Sequence, residues 1–493
     1  MISLIRTYFI YVFFFFLMVM TFSFFFSIAV NSILIPVFFT LFIIDLKKIL
    51  KSWSEIRTTR NILLLLIFLS LFISVLYSDD KKRAFSEIFS ALPLIALPVS
   101  LTHFNRLSEK KIIWLKRFYI FCCIAATIIA LTRAVFNSGL LDGSYKQLVA
   151  PNLYDAYFVH RFTYHKLGAN LHAIYFSMYV ALSIYLILAE IRGKARITKM
   201  LWTVLLLYLL IFLILLKSIT INFALYSSVV IYFYFIFSFK KWQHYFLFFS
   251  ISLAGAFVTG YLYLLKHIDP NANGIYLFDS PELNKKILAF LLFTITGGFA
   301  AIIVKIVFRN KYIPILSAIV LITTVSGLIY ISNRNIFATN NNTSENQRQD
   351  NVTVRYNYWN SALDVIKDHP LLGVGIGDKK LKLLKQNTGN SPDSSDEHTF
   401  NPHNQFLDYW ISAGIIPLLC FILFLANEFS IAWRNKHFIY LGLVYCFTLF
   451  CFTDIAMTGQ RGQVFFLFFI CLFGSEIRKK NKTEPDMALP LPV

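Results

Sequence analysis

YFIYVFFFFLMVMTFSFFFSIAVNSILIPVFFTLFII, positions 8–44, contains no charged residue. As one α-helix rising 1.5 Å per residue it would extend about 55 Å. A bilayer hydrocarbon core is about 30 Å thick. The stretch must therefore fold back on itself, near Thr21–Ser27, and supply two membrane spans.

Working outward, the same kind of apolar run recurs along the chain. A third span is expected at Ile62–Tyr77 and a fourth at Ile88–Leu101, where Pro93 and Pro98 predict a kink. The fifth to eighth are Phe118–Phe136, Gly168–Ala189, Met200–Leu216 and Ile219–Phe239. The ninth to eleventh are Tyr245–Leu265, Ile287–Phe308 and Ile313–Ile331, and the last three are His403–Ala426, Phe438–Thr453 and Val464–Phe473. The expected fold class is thus an all-α polytopic membrane protein with about 14 transmembrane helices, 12 being the alternative count. The domain plan is a helical scaffold over 1–331, a large polar loop over 332–402, C-terminal helices over 403–475 and a basic tail over 476–493. No small-residue cleavage site follows the first run, so it is expected to stay as a span rather than act as a cleaved signal.

Charge supports the same plan. Lys and Arg outnumber Asp and Glu by 46 to 26, which in a soluble protein would suggest nucleic acid. Here the basic residues cluster after spans 2, 4, 6, 8, 10 and 12 and in the tail. That alternation is the positive-inside pattern of a membrane protein with both termini cytoplasmic, and it leaves no role for nucleic acid. The loops near Asn137, Lys266 and Ser332 then face outward. The six cysteines, at 122, 123, 420, 446, 451 and 471, all lie in apolar runs and read as buried thiols.

The long polar exception to this apolar chain runs from Val352 to Pro417. After an asparagine-rich lead-in, VTVRYNYWNSALDVIK (352–367) places Val352, Tyr356, Trp359, Leu363 and Ile366 at helical spacing. Arg355 and Trp359 are one turn apart, close enough for cation–π stacking. The plain reading is an amphipathic helix on the membrane surface. The sharper one aims Arg355 at an anionic headgroup, since a diphosphate is best held by a planar, permanently charged fork. Asp368-His369-Pro370 ends the helix. Gly373-Val374-Gly375-Ile376-Gly377 lacks dinucleotide spacing and reads as a tight turn, with a backbone-amide nest for phosphate as the alternative. His403-Asn404 stands where the loop meets the twelfth span. Arg161, Lys217 and Arg461 lie on other outward segments, and polar groups gathered at one end of a helical bundle suggest a binding site. Histidine is suited to accept a proton near neutral pH. His165 and His172 mark the entry to the sixth span; no carboxylate or cysteine lies near them in sequence, so no metal is expected.

Arg355-x-x-x-Trp359, HPLLGVGIGD (369–378), His403-Asn404, the following Gly414 and the Gln460-x-Gly462 element resemble the O-antigen ligase and O-antigen polymerase superfamily. The resemblance implies a membrane glycosyltransferase of bacterial polysaccharide and lipopolysaccharide biosynthesis. Such an enzyme moves a glycan from a polyprenyl-diphosphate (undecaprenyl-type) carrier to an acceptor hydroxyl on the periplasmic face, without metal or cofactor. It implies catalytic roles for Arg355, on the diphosphate, and His403, at the acceptor. Lys217, Arg161, His172, Trp359, Asn404, Gln460 and Arg461 are the expected substrate-binding residues. Lys217 stands where the family usually has an arginine, and Pro417 where it tends to have a small or hydroxyl residue. The acceptor is open between lipid A–core, a growing glycan and a protein, corresponding to ligase, polymerase and O-linking oligosaccharyltransferase. A lipid or polysaccharide transporter is the rival outside the class; it predicts internal repeats and mid-membrane charges, and no repeat is evident.

Overall fold

The computed structural model describes residues 8–45, 56–137, 173–191, 195–216, 218–236, 351–388 and 401–483. Among these, all regular structure is helical. In chain order the helices are α1 (Phe9–Phe26), α2 (Ile28–Ile44), α3 (Thr59–Tyr77), α4 (Lys81–Ala91), α5 (Pro93–Ser100), α6 (Glu109–Asn137), α7 (Ala173–Glu190), α8 (Arg196–Leu215) and α9 (Ile219–Ile236). They continue with α10 (Asn351–Asp368), α11 (Lys379–Thr388), α12 (Gln405–Ala413), α13 (Ile415–Arg434), α14 (Phe438–Cys451) and α15 (Gln460–Thr483). A 3₁₀ turn, Leu101–Arg106, follows α5. Among the described residues, seven segments are long and apolar enough to cross a membrane; α14 and most of α2 are shorter apolar helices. The ninth to eleventh expected spans lie outside the described residues.

The fold divides into two compact units. One comprises residues 1–133, 162–209 and 350–493, the other 134–161 and 210–349. The first holds everything that follows.

The long opening run breaks where its length demands. Ser27 is extended, at φ −160°, and its side chain accepts from the Val30 N–H at 3.4 Å, capping α2. Buried Ser23 donates to the Asn31 side-chain oxygen and ties the two helices across the bend. Further along, Ala91 ends α4 and Pro93 opens α5, where a missing N–H costs nothing.

The twelfth expected span differs from its reading. It is not one helix from His403 to Ala426. Residues 403–404 are non-helical, α12 is short, and Gly414 at φ +81° separates it from α13. Only glycine fits there. A Cβ on Gly414 would lie 1.8 Å from the Leu371 carbonyl oxygen, and the φ itself is unfavourable for any L side chain. Pro417 then falls in the first turn of α13, where proline is tolerated. Gly414→Ala is expected to destabilise the protein by more than about 1 kcal/mol, read as a lowered thermal midpoint in detergent. An unchanged midpoint would mean that the 371–414 contact does not hold the helices apart.

The polar loop contributes its own small core. Ala362, Val365 and Ile366 of α10 pack with Val374, Leu383 and Leu384 of α11 and its approach, and with Ile411 of α12. Tyr358, Leu407 and Trp410 close its edge. The buried face of α10 is therefore rotated from the expected one. Leu363 points outward, 42% exposed, because α11 and α12 cover the 358–362–365 side.

The glycine turn joins this loop to the bundle. Gly373 and Gly375 adopt φ of +69° and +93°. Val374 N donates to Ile411 O at 2.8 Å and Tyr77 Oη donates to Leu372 O at 2.5 Å. The Ile376 and Gly377 amides donate to the Ser74 and Ser78 hydroxyls at 3.2 and 3.1 Å. Asp378 accepts from the Asp79 and Asp80 amides at 2.6 and 2.9 Å. The nest reading is thereby set aside: the 376 and 377 amides are committed within the protein, docking the turn on the end of α3.

Candidate active site

Arg355 lies in the second turn of α10, half-buried. Burial lowers the pKa of its guanidinium, and the charge of Asp454 works in the opposite direction. Arginine stays charged regardless. Asp454 lies in the turn between α14 and α15. Its Oδ1 accepts from Ile455 N at 2.8 Å, and its own amide donates to Phe450 O at 2.9 Å. The same Oδ1 stands 3.5 Å from Nδ1 of His403. The two residues expected to be catalytic are thus linked through one carboxylate.

His403 is held in an uncommon backbone conformation, φ +44°. For a residue with a Cβ this costs on the order of 1–3 kcal/mol, and such strain persists where surrounding structure enforces it, often at functional sites. Three contacts enforce it here. Its amide donates to the Asn401 side chain at 2.9 Å. Its ring stacks on Tyr358, with centroids 6.0 Å apart and planes 15° from parallel. Asn404, the next residue, caps α12 by accepting from Phe406 N and Leu407 N at 2.9 and 3.2 Å. The imidazole remains 34% exposed, so it is fixed yet reachable.

The 454–459 turn is anchored from below. Gln405 Oε1 accepts from Met457 N at 2.7 Å and from Thr458 N at 3.2 Å. Lys379 forms a buried ion pair with Asp408 at 2.9 Å, and Thr458 Oγ1 donates to the same carboxylate at 2.8 Å. Burial alone would lower the Lys379 pKa, but Asp408 and then Glu87 outweigh it and raise it. Lys379 is therefore protonated at neutral pH.

The other expected residues fall around this centre in different ways. Arg461 is in the first turn of α15, its Nε buried with no hydrogen-bond partner among the described residues; its carbonyl accepts from Tyr179 Oη at 3.4 Å. Tyr175, near the start of α7, couples electrostatically to both Asp454 and Arg461. Gln460 accepts from Ser32 Oγ at 2.9 Å. Trp359 keeps its indole N–H buried and unpartnered among the described residues. Arg161, His172 and Lys217 lie outside the described residues. Asp454, Tyr175 and Tyr358 were missing from the sequence reading. Asp454 carried a signal: it is the only charged residue between His437 and Arg461.

Residues 286–422 match the family model described as O-antigen ligase. The matched segment contains Arg355, the glycine turn, His403 and Gly414, and it ends before Asp454 and Arg461. An uncharacterized protein of Haemophilus influenzae is 25% identical over 210 residues, covering 40% of this chain and 48% of the relative. The chain thus spans about half the length of that curated relative.

Proposed function

We propose that this chain, which carries an O-antigen ligase domain, transfers a glycan from a polyprenyl-diphosphate carrier to an acceptor hydroxyl on the outer face of the bacterial inner membrane. The observation that carries this reading is the carboxylate of Asp454, set against His403 Nδ1 and within the field of Arg355. With Nδ1–H directed at Asp454, Nε2 is the free lone pair that takes the acceptor proton. The acceptor oxygen then forms its bond to the anomeric carbon as the bond to the diphosphate oxygen breaks. The departing diphosphate leaves with the electron pair. Its negative charge is met by Arg355, with Arg461 as a further cation. No redox partner is needed.

The test is transfer of a purified lipid-linked glycan by the reconstituted chain to core, glycan and protein acceptors. Asp454→Asn should lower kcat by at most about 10²-fold, the lower end of the ~10²–10⁴ that a positioned base contributes. The donor KM should stay nearly unchanged, and Asp454→Glu should recover part of the rate. A merely structural Asp454 would instead lower the amount of folded protein without changing kcat per folded molecule. Glycan crossing the bilayer with no transfer to any acceptor would identify a transporter instead.

A further inference from the structure

Beside the His403–Asp454 contact is a cavity of about 190 Å³ between α4, α11 and the 454–459 turn. Pro402 and Ile455, the immediate neighbours of the two site residues, form part of its wall. Its charged groups are Glu87, Lys379, Lys380 and Asp408. Lys379 and Asp408 are sealed against each other, 4% and 2% exposed. Lys380 and Glu87, paired at 3.0 Å, keep 24% and 14% exposure. Thr458 adds a hydroxyl, while Leu383 and Ile455 add apolar surface.

From this geometry we infer that the cavity is a subsite for one neutral sugar ring of the acceptor, so that the acceptor is a glycan and not a protein side chain. This rests on the glycosyl-transfer reading above. Size comes first: a cavity of about 150 Å³ holds one benzene ring, so this one has room for a six-membered ring with its substituents. Charge comes second. Two carboxylates face two ammonium groups, leaving no net attraction for a phosphate, which would be drawn to the arginines instead. Chemistry comes third. Glu87 accepts and Lys380 donates, the combination that neighbouring ring hydroxyls require, and the apolar wall suits the C–H face of a pyranose. Position comes last: Pro402 and Ile455 of the wall adjoin His403 and Asp454 in the chain, which sets the cavity on the acceptor side of the site.

The experiment uses the full chain in detergent. Binding of methyl glycosides of neutral hexoses is followed by saturation-transfer NMR for the wild type, Glu87→Ala and Lys380→Ala, with inorganic phosphate as competitor. The expected result is wild-type binding that phosphate does not displace and that both variants lose. In the transfer assay the acceptor KM should rise about tenfold, equivalent to about 1.4 kcal/mol, with the donor KM unchanged. Glycoside binding indifferent to both substitutions, displacement by phosphate, or preferred transfer to a protein would overturn the assignment. The binding arm does not depend on turnover. Glu87-dependent binding without any transfer would defeat the enzymatic reading alone, and transfer with Glu87-independent binding would defeat the subsite alone.

Discussion

Replacing Arg355 by alanine is expected to lower the transfer rate by about 10²–10³-fold, the loss typical of removing one preorganised group that stabilises charge developing in the transition state. The effect should fall on kcat more than on donor KM, because the diphosphate gains its extra negative charge only as the glycosidic bond breaks. Arg355→Lys separates charge from shape. The ammonium keeps the positive charge but not the two-pronged hydrogen-bonding fork, so about tenfold should be recovered relative to alanine. The fold should tolerate both changes. The packed face of α10 is formed by Ala362, Val365 and Ile366, and Arg355 is not part of that core. An Arg355→Ala protein that transfers at the wild-type rate would remove Arg355 from the reaction and leave Arg461 as the described cation of the site. A variant that fails to accumulate would be resolved by Arg355→Lys, whose stability and rate can be read together.

How much of this was legible in the sequence depends on what kind of interaction carried each feature. The bend at Ser27 follows from the length of an apolar run against bilayer thickness, so arithmetic finds it. The helix over 351–368 follows from spacing, but its buried face does not. Leu363 scores as apolar, and only the arrival of α11 and α12 on the other side turns it outward. The break at Gly414 is invisible in composition, since residues 405–426 read as one apolar run. What breaks them is the Leu371 carbonyl pressed against the glycine, a contact made across 43 residues of chain. Arg355 and His403 stand out as chemistry-bearing residue types beside a recognisable motif. Asp454 does not, because a lone carboxylate in a short turn acquires meaning only when folding brings the α14–α15 turn under His403. The same holds for Glu87, far from the motif in sequence and beside it in space.

The largest stability effect is expected at the opposite end of the bundle from this site. Arg60, in the first turn of α3, is 5% exposed. Its Nε and Nη2 donate to Glu428 of α13 at 2.9 and 2.5 Å, and Nη2 also lies 2.6 Å from Tyr440 Oη of α14. Tyr440 in turn donates to Glu428, and Asn427 Nδ2 donates to the same carboxylate at 3.0 Å. Gly474 of α15 leaves the space the guanidinium occupies, since a Cβ there would approach it to 3.0 Å. Glu428→Gln leaves the guanidinium buried without a counter-ion, and breaking a buried pair in this way costs about 3–5 kcal/mol. Thermal unfolding in detergent should show a large drop for Glu428→Gln and for Arg60→Met taken singly. The double variant Arg60→Met/Glu428→Met should recover most of it, because replacing both ions by apolar groups removes the desolvation cost along with the attraction. Glycan transfer per folded molecule should be unchanged in the double variant, since neither side chain reaches His403 or Arg355. A single Glu428→Gln substitution without cost would mean that the ion pair contributes nothing and that the four helices are held by packing alone. A double variant as unstable as the singles would mean that the pair also sets the spacing of α3, α13 and α14. Methionine, lacking the fixed planar fork, cannot restore that geometry.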